Sequence, residues 1–219
     1  MQQIIIIICE GQTEQEFVRS VLQPVFENYY FQTPLVGKGG IVKWATLKQH
    51  IERHLKENKK AIVTTLFDFY GIDKKHDFPQ WEHLDTIDRV SFVTRVEKGM
   101  KVALDEELRY RFIPYIQLHE FEGLLFNRIE PFKILFKPDE CNHTDIEQII
   151  REHPNPETIN NGKATAPSKR LEQHIPQYTK ILHGCLIAEH IGLNDLRTKA
   201  PRFNQWLTQL EHLAVTVEP

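Results

Sequence analysis

The sequence predicts an α/β protein built on a mostly parallel sheet, with flanking helices and a C-terminal helical extension. Three observations carry this. Three short apolar runs rich in β-branched and aromatic residues, Gln3–Cys9, Ala61–Phe67 and Phe112–Leu118, each stop at an acidic turn. Amphipathic segments at helical spacing lie between them, and after about Asn127 the helical texture continues without strands. Strands covered on both faces read as continuous apolar runs, and their alternation with helices marks parallel architecture.

The elements follow in order. Gln3–Cys9 is the first buried strand, and Gly11 supplies its turn. Thr13-Glu14-Gln15-Glu16 has capping-box spacing, which predicts a helix from Thr13 to about Tyr29. Phe17, Val21, Leu22 and Val25 share one side of it. Phe31–Val36 reads as a short edge strand. Trp44–Glu57 carries Leu47, Ile51 and Leu55 at helical spacing and leads into Ala61–Phe67, which ends at Asp68. Gly71 and a loop with Pro79 and Trp81 follow, then helical material over Asp85–Leu108, broken near Gly99. Phe112–Leu118 stops at His119-Glu120. Helices are predicted over Thr144–Glu152, Pro167–Ile175, Tyr178–Ile191 and Pro201–Leu213. The chain thus divides into an α/β part, 1–127, and a helical extension, 128–219, packed on it rather than forming an independent domain.

Composition excludes several classes. With 41% hydrophobic and 26% charged residues, the balance is that of a globular chain. A net charge of -3 gives no global attraction to nucleic acid, so any basic surface is local. No apolar run approaches the roughly 20 residues that cross a bilayer. The Ile4–Cys9 run is short for a signal-peptide core, and no basic segment precedes it. Cys9, Cys141 and Cys185 are far apart and lack C-x-x-C spacing, which argues against a disulfide framework or a cysteine zinc site. A cytoplasmic protein without membrane association is expected.

The chemistry concentrates at the strand exits. In an open parallel sheet, functional residues gather beyond the carboxyl ends of the strands. Those ends carry Glu10, Asp68 and Glu120. Glu122 lies two residues beyond Glu120, and Glu14 sits in the first turn of the first helix. Any one of these acids is equally well a solvated strand terminus or a helix-dipole partner. Glu16 reads as the capping-box acid. Repetition of the device at neighbouring exits would make one acidic crevice. Convergent carboxylates repel unless protons or a cation neutralise them. A hard divalent ion such as Mg²⁺ or Mn²⁺ suits oxygen ligands, and with it metal-dependent phosphoryl chemistry.

The stretch CEGQTEQEF resembles the first motif of Toprim domains, and TLFDFYG resembles the second, which in Toprim proteins carries Asp-x-Asp. HEFEGLLF is similar to the further acidic motif of Toprim nucleases of the OLD and RloB type. With INNGKATAPSKRL and IGLNDLRTKAPRFNQWL, nearly the whole chain resembles the bacterial family called domain of unknown function 4276. The resemblance implies a Toprim-like fold and a Mg²⁺- or Mn²⁺-dependent nuclease acting on DNA or RNA. Within it, Glu10 matches the Toprim glutamate, Asp68 the first aspartate of the pair, and Glu120 and Glu122 the additional acidic motif; Glu14 supports them. Tyr70 stands where the second aspartate would be, and a phenol does not replace a carboxylate as a Mg²⁺ ligand at neutral pH. A partner ATPase of ABC or AAA type, in a phage-defence setting, is also implied. The alternative is a Toprim-shaped interaction module with little catalysis, binding nucleic acid or that ATPase.

Basic residues offer phosphate contacts. The loop from Asn160 to Arg170 holds Lys163, Lys169 and Arg170 among amide and hydroxyl donors. By the resemblance, Lys163 is also a candidate for the lysine that OLD-type nucleases place near their metals; the other reading is a solvated loop capping a helix. Arg197, Lys199 and Arg202 form a second cluster before Phe203 and Trp206, two aromatics at core-like helical spacing. His50 and His54 are spaced i, i+4 but lack a third ligand and read as an exposed helix face. His119 abuts the acidic motif, either orienting a carboxylate or serving structure. Homo-oligomerisation stays open, with the helical part as its surface.

Overall fold

The isoleucine run forms β1 (Gln3–Cys9), the strand on which the sheet is laid. A computed structural model describes residues 3–82, 88–160, 162 and 165–216. β1 pairs in parallel with β2 (Tyr29–Gln32) on one side and with β3 (Ile62–Asp68) on the other. β3 also pairs in parallel with β4 (Phe112–Ile113) and β5 (Ile116–Gln117). The order is β2-β1-β3-β4, with β5 continuing beside β3. The predicted parallel α/β architecture is therefore the observed one, and the strands ending near Glu10, Asp68 and Glu120 are neighbours.

The third predicted strand is split in two. Pro114 lacks an N–H for the ladder. Thr65 repairs the gap: its hydroxyl donates to the Tyr115 carbonyl at 2.8 Å and accepts the Tyr115 N–H at 2.9 Å. The edge strand lies at Tyr29–Gln32, a little before the expected Phe31–Val36, where a single bridge joins Cys9 to Leu35.

Alternation along β1 sends its side chains into two cores. Ile6 and Ile8 join Leu47, Ile51 and Leu55 of α2 (Trp44–Glu57) and Phe92, Val96 and Met100 of α3 (Arg89–Val102). Ile5, Ile7 and Cys9 join Phe17 and side chains of the C-terminal helices, including Phe203, Trp206 and Leu210. Those helices are α4 (Glu130–Leu135), α5 (His143–Glu152), α6 (Pro167–His174), α7 (Cys185–Ile191), α8 (Leu193–Lys199) and α9 (Pro201–Thr216). α4 and α8 are too short to stand out by periodicity. The extension thus supplies the cover of one sheet face. Trp206 stacks on Tyr115 at 4.6 Å between ring centroids and donates its indole N–H to Thr64 Oγ1 at 2.8 Å.

Local chemistry corrects two expectations. The first helix, α1 (Gln12–Phe17), starts after Gly11 and passes into a π-helical turn, Val18–Leu22. Its capping acid is Glu14, whose Oε2 accepts the Gly11 N–H at 2.8 Å, while Glu16 pairs with Arg19. The helix stops early, and Val25 is left 56% exposed. Gly99 does not break α3. A Cβ there would lie 2.9 Å from Pro79 and Gln80, so the missing side chain lets the loop close on the helix. The expected start of that helix, Asp85, lies outside the described residues.

Candidate functional site

β1 hands Glu10 directly to its neighbour. The Glu10 N–H donates to Leu66 O at 3.2 Å, and its own carbonyl accepts the Gly40 N–H at 2.7 Å. With its backbone pinned, its carboxylate reaches across the sheet and accepts the Asp68 N–H at 2.9 Å. Gly71 makes room for it, since a Cβ there would sit 2.7 Å from Glu10 Oε1. Asp68 closes β3 and accepts the Phe121 N–H on Oδ1 at 2.8 Å. Glu120 opens the single turn Phe121–Leu125 and accepts the Ser168 N–H, at the start of α6, at 2.9 Å. Glu14 and Glu122 are buried, Glu122 completely.

Lys180 completes the group, and no sequence pattern flagged it. It leads a π-helical turn, Lys180–Gly184, just before α7. Its ammonium lies 3.4 Å from Asp68 Oδ2 and 3.2 Å from Glu122 Oε2. The second approach is an ion pair by distance, and among the described residues neither Glu122 oxygen has a well-directed hydrogen bond. A buried carboxylate in that condition is costly.

The electrostatics follow. Burial pushes Glu10 up to about 7, against the Asp68 N–H that favours its charged form, with Glu14 adding repulsion. Burial likewise lifts Glu122 to about 7, opposed by Lys180 and helped by Glu120. Asp68 is raised well above the usual carboxylate range by burial, again against Lys180. Burial alone would pull Lys180 down, but Asp68, Glu122 and Glu14 outweigh it and hold the ammonium above its ordinary value. Among the described residues, more carboxyl groups than ammonium groups gather here.

Tyr70 takes partners other than these carboxylates. Its phenol accepts hydrogen bonds from Arg89 Nη1 at 2.8 Å and Asn160 Nδ2 at 2.5 Å. His119, at a left-handed φ of 70°, packs its ring 5.5 Å from that of Tyr70. Burial and the nearby Arg89 guanidinium bring His119 down to about 4, so it is neutral at pH 7.

The match to known families covers this whole arrangement. Residues 9–211 match the family described as Domain of unknown function (DUF4276). The chain belongs to that family. No curated protein and no solved structure matches it.

In this DUF4276 chain the predicted acids cluster at the strand ends, whereas the described cations among those predicted have other partners. Arg202 pairs with Glu97 at 2.8 Å and hydrogen-bonds Thr94. Arg197 forms a two-pronged pair with Glu211, and Lys199 donates to Asn127 O at 2.6 Å. Arg197 thus ties α8 to α9, Lys199 ties α8 to the segment before α4, and Arg202 ties α9 to α3. Glu97 and Glu157 are the partners that sequence could not reveal: Glu157 accepts the Arg202 and Phe203 N–H groups and so caps α9. Lys169 pairs with Glu172 on its own helix, and Arg170 donates to Thr165 O. Lys163 lies outside the described residues. His50 contacts Arg53 on the α2 surface.

Among the described residues, no three His, Cys, Asp or Glu side chains stand together in metal-holding geometry. Glu10 and Glu14 each spend an oxygen on a backbone N–H, and the Lys180 ammonium stands between Asp68 and Glu122. The donor chemistry nevertheless fits a hard divalent ion: Glu14, Asp68 and Glu122 are buried carboxylates, the acids outnumber the ammonium among the described residues, and Glu122 has only the Lys180 ion pair there.

Proposed function

We propose that this crevice is the divalent-cation site of a Toprim-like nuclease acting on DNA or RNA phosphodiesters. The observation that carries the reading is the fully buried Glu122 carboxylate, which shares the Lys180 ammonium with Asp68 and has no well-directed hydrogen bond among the described residues. Glu10, Asp68 and Glu122 would hold Mg²⁺ or Mn²⁺, with Glu14 and Glu120 in support. Such an ion, when bound, supplies an activated water and charge stabilisation on phosphate. The chain's own contribution is positional. Glu10 is fixed by β3, Glu120 ties α6 to the crevice through Ser168, and Lys180 contributes positive charge. A partner ATPase belongs to the same proposal and rests on the resemblance alone; a cytoplasmic setting belongs to it too and rests on the scattered cysteines.

A second reading, a Toprim-shaped interaction module, is favoured by Tyr70, which gives Arg89 and Asn160 its oxygen where a second aspartate would serve a metal. Thermal melting separates the two. Mn²⁺ or Mg²⁺ should raise the melting temperature, and Glu10→Gln or Asp68→Asn should abolish the rise. No rise in the intact chain would overturn the nuclease reading. Cleavage of duplex DNA, single strands and tRNA should be lost in EDTA, and cleavage that survives EDTA would rule out the metal.

A further inference from the structure

Next to the carboxylates lies a cluster of opposite character. Asn160 Oδ1 accepts the Gly162 N–H and the Thr165 hydroxyl, each at 2.9 Å, which turns its NH₂ towards Tyr70. The Tyr70 oxygen therefore accepts from both Asn160 and Arg89. A phenol oxygen with both lone pairs engaged must give its own O–H to a third group. Arg89 has five N–H donors. One goes to Tyr70, and a contact of 3.4 Å reaches His119 Nδ1. The guanidinium also lies over the Phe69 and Tyr70 rings at 5.2 and 5.5 Å. Among the described residues no carboxylate pairs with it. Among the described residues donors outnumber acceptors here, and a fixed positive charge sits among them. That is the recognition chemistry of an oxyanion.

We propose that Arg89 and Tyr70 form an oxyanion subsite that takes a backbone phosphate of a nucleic acid. The subsite adjoins the crevice through covalent neighbours. Tyr70 lies two residues beyond Asp68, and its N–H donates at 3.2 Å to the carbonyl of His119, the residue before Glu120. Asn160 holds Tyr70, and eight residues on Ser168 holds Glu120. Tyrosine at position 70 then exchanges one possible metal ligand for an anion donor. The choice of a nucleic-acid phosphate rests on the nuclease reading; the preference for an oxyanion rests on the hydrogen-bond inventory alone.

The test is fluorescence anisotropy of fluorescein-labelled single-stranded DNA and RNA oligonucleotides on the full chain in EDTA, with inorganic phosphate as competitor. Wild type should bind. Arg89→Met should weaken binding about tenfold or more and reduce the salt dependence by about one phosphate contact. Tyr70→Phe, which keeps the ring packing, should weaken it by about threefold to tenfold. Unchanged binding in Tyr70→Phe with an intact near-UV CD spectrum would overturn the proposal, as would a wild type that binds no oligonucleotide. Binding of inorganic phosphate alone, dependent on Arg89, would overturn the nucleic-acid assignment. The Mn²⁺-linked rise in melting temperature, measured on the same variants, reports the carboxylate crevice separately. It should persist in Tyr70→Phe, and its absence in wild type would sink the metal reading while leaving the anisotropy result to decide this one.

Discussion

Lys180 lies between Asp68 and Glu122 and limits the repulsion among buried carboxylates without an ion. Removing one member of a buried pair strands the other charge, which costs about 3–5 kcal/mol when both are fully buried. Lys180 is 41% exposed, so a smaller loss of about 1–2 kcal/mol is expected for Lys180→Met in EDTA at pH 8. Added Mn²⁺ should return part of it; a variant as stable as wild type in EDTA would show that the ammonium does not neutralise the crevice. The acids make a further prediction. Glu10 and Glu122 move from 4.5 to about 7 on folding. The folded chain therefore binds more protons than the unfolded one between those values, and stability from these groups falls as pH rises through that window. Their penalty is absent below about 4.5, where both states are protonated, and complete above about 7. In EDTA, Glu10→Gln should melt above wild type at pH 8, and the gap should close towards pH 5. A gap independent of pH would mean that Glu10 is charged throughout.

At the scale of elements, the site depends on how tightly the turn after β3 approaches β1. Gly71 ends the short turn Phe69–Gly71, and its Cα faces the Glu10 carboxylate. An added methyl would meet Glu10 Oε1 at 2.7 Å and Ile41 Cγ1 at 2.9 Å. The carboxylate is the far end of a flexible side chain and can swing away, so the fold should tolerate Gly71→Ala at a cost of about 1 kcal/mol. The hydrogen bond from the Asp68 N–H cannot survive that swing. Gly71→Ala should therefore retain a cooperative melt but lose most of its response to Mn²⁺ or Mg²⁺ in the same thermal assay. An unchanged response would place the ion away from Glu10. The sequence showed Gly71 only as a turn; the reason for glycine here is a contact with a strand sixty residues earlier.

Across the whole molecule, what was legible depended on how local its cause is. β1 and β3 could be read because burial on both faces demands uninterrupted apolar residues, and their exits at Glu10 and Asp68 came with them. Lys180 could not be read, because it meets Asp68 across a separation of 112 residues, on a turn without a motif. Arg197, Lys199 and Arg202 resemble a surface cluster until Glu211, Asn127 and Glu97 are placed beside them. The same non-local packing fixes how the two parts of the chain depend on each other. Ile5, Ile7, Ile62, Leu66 and Ile113 share one core with Leu196, Phe203, Trp206 and Leu210. A fragment ending at Asn127 would expose that sheet face, lose the indole N–H from Thr64, and leave Asp68 without Lys180. Exposed apolar faces of this kind lead to aggregation rather than independent folding. The fragment 1–127 should therefore be insoluble, or lack a cooperative melt and near-UV CD. The intact chain should lose tryptophan fluorescence and far-UV CD in one coincident transition. Two separated transitions, or a soluble fragment melting near the intact chain, would instead make the helical extension a domain in its own right.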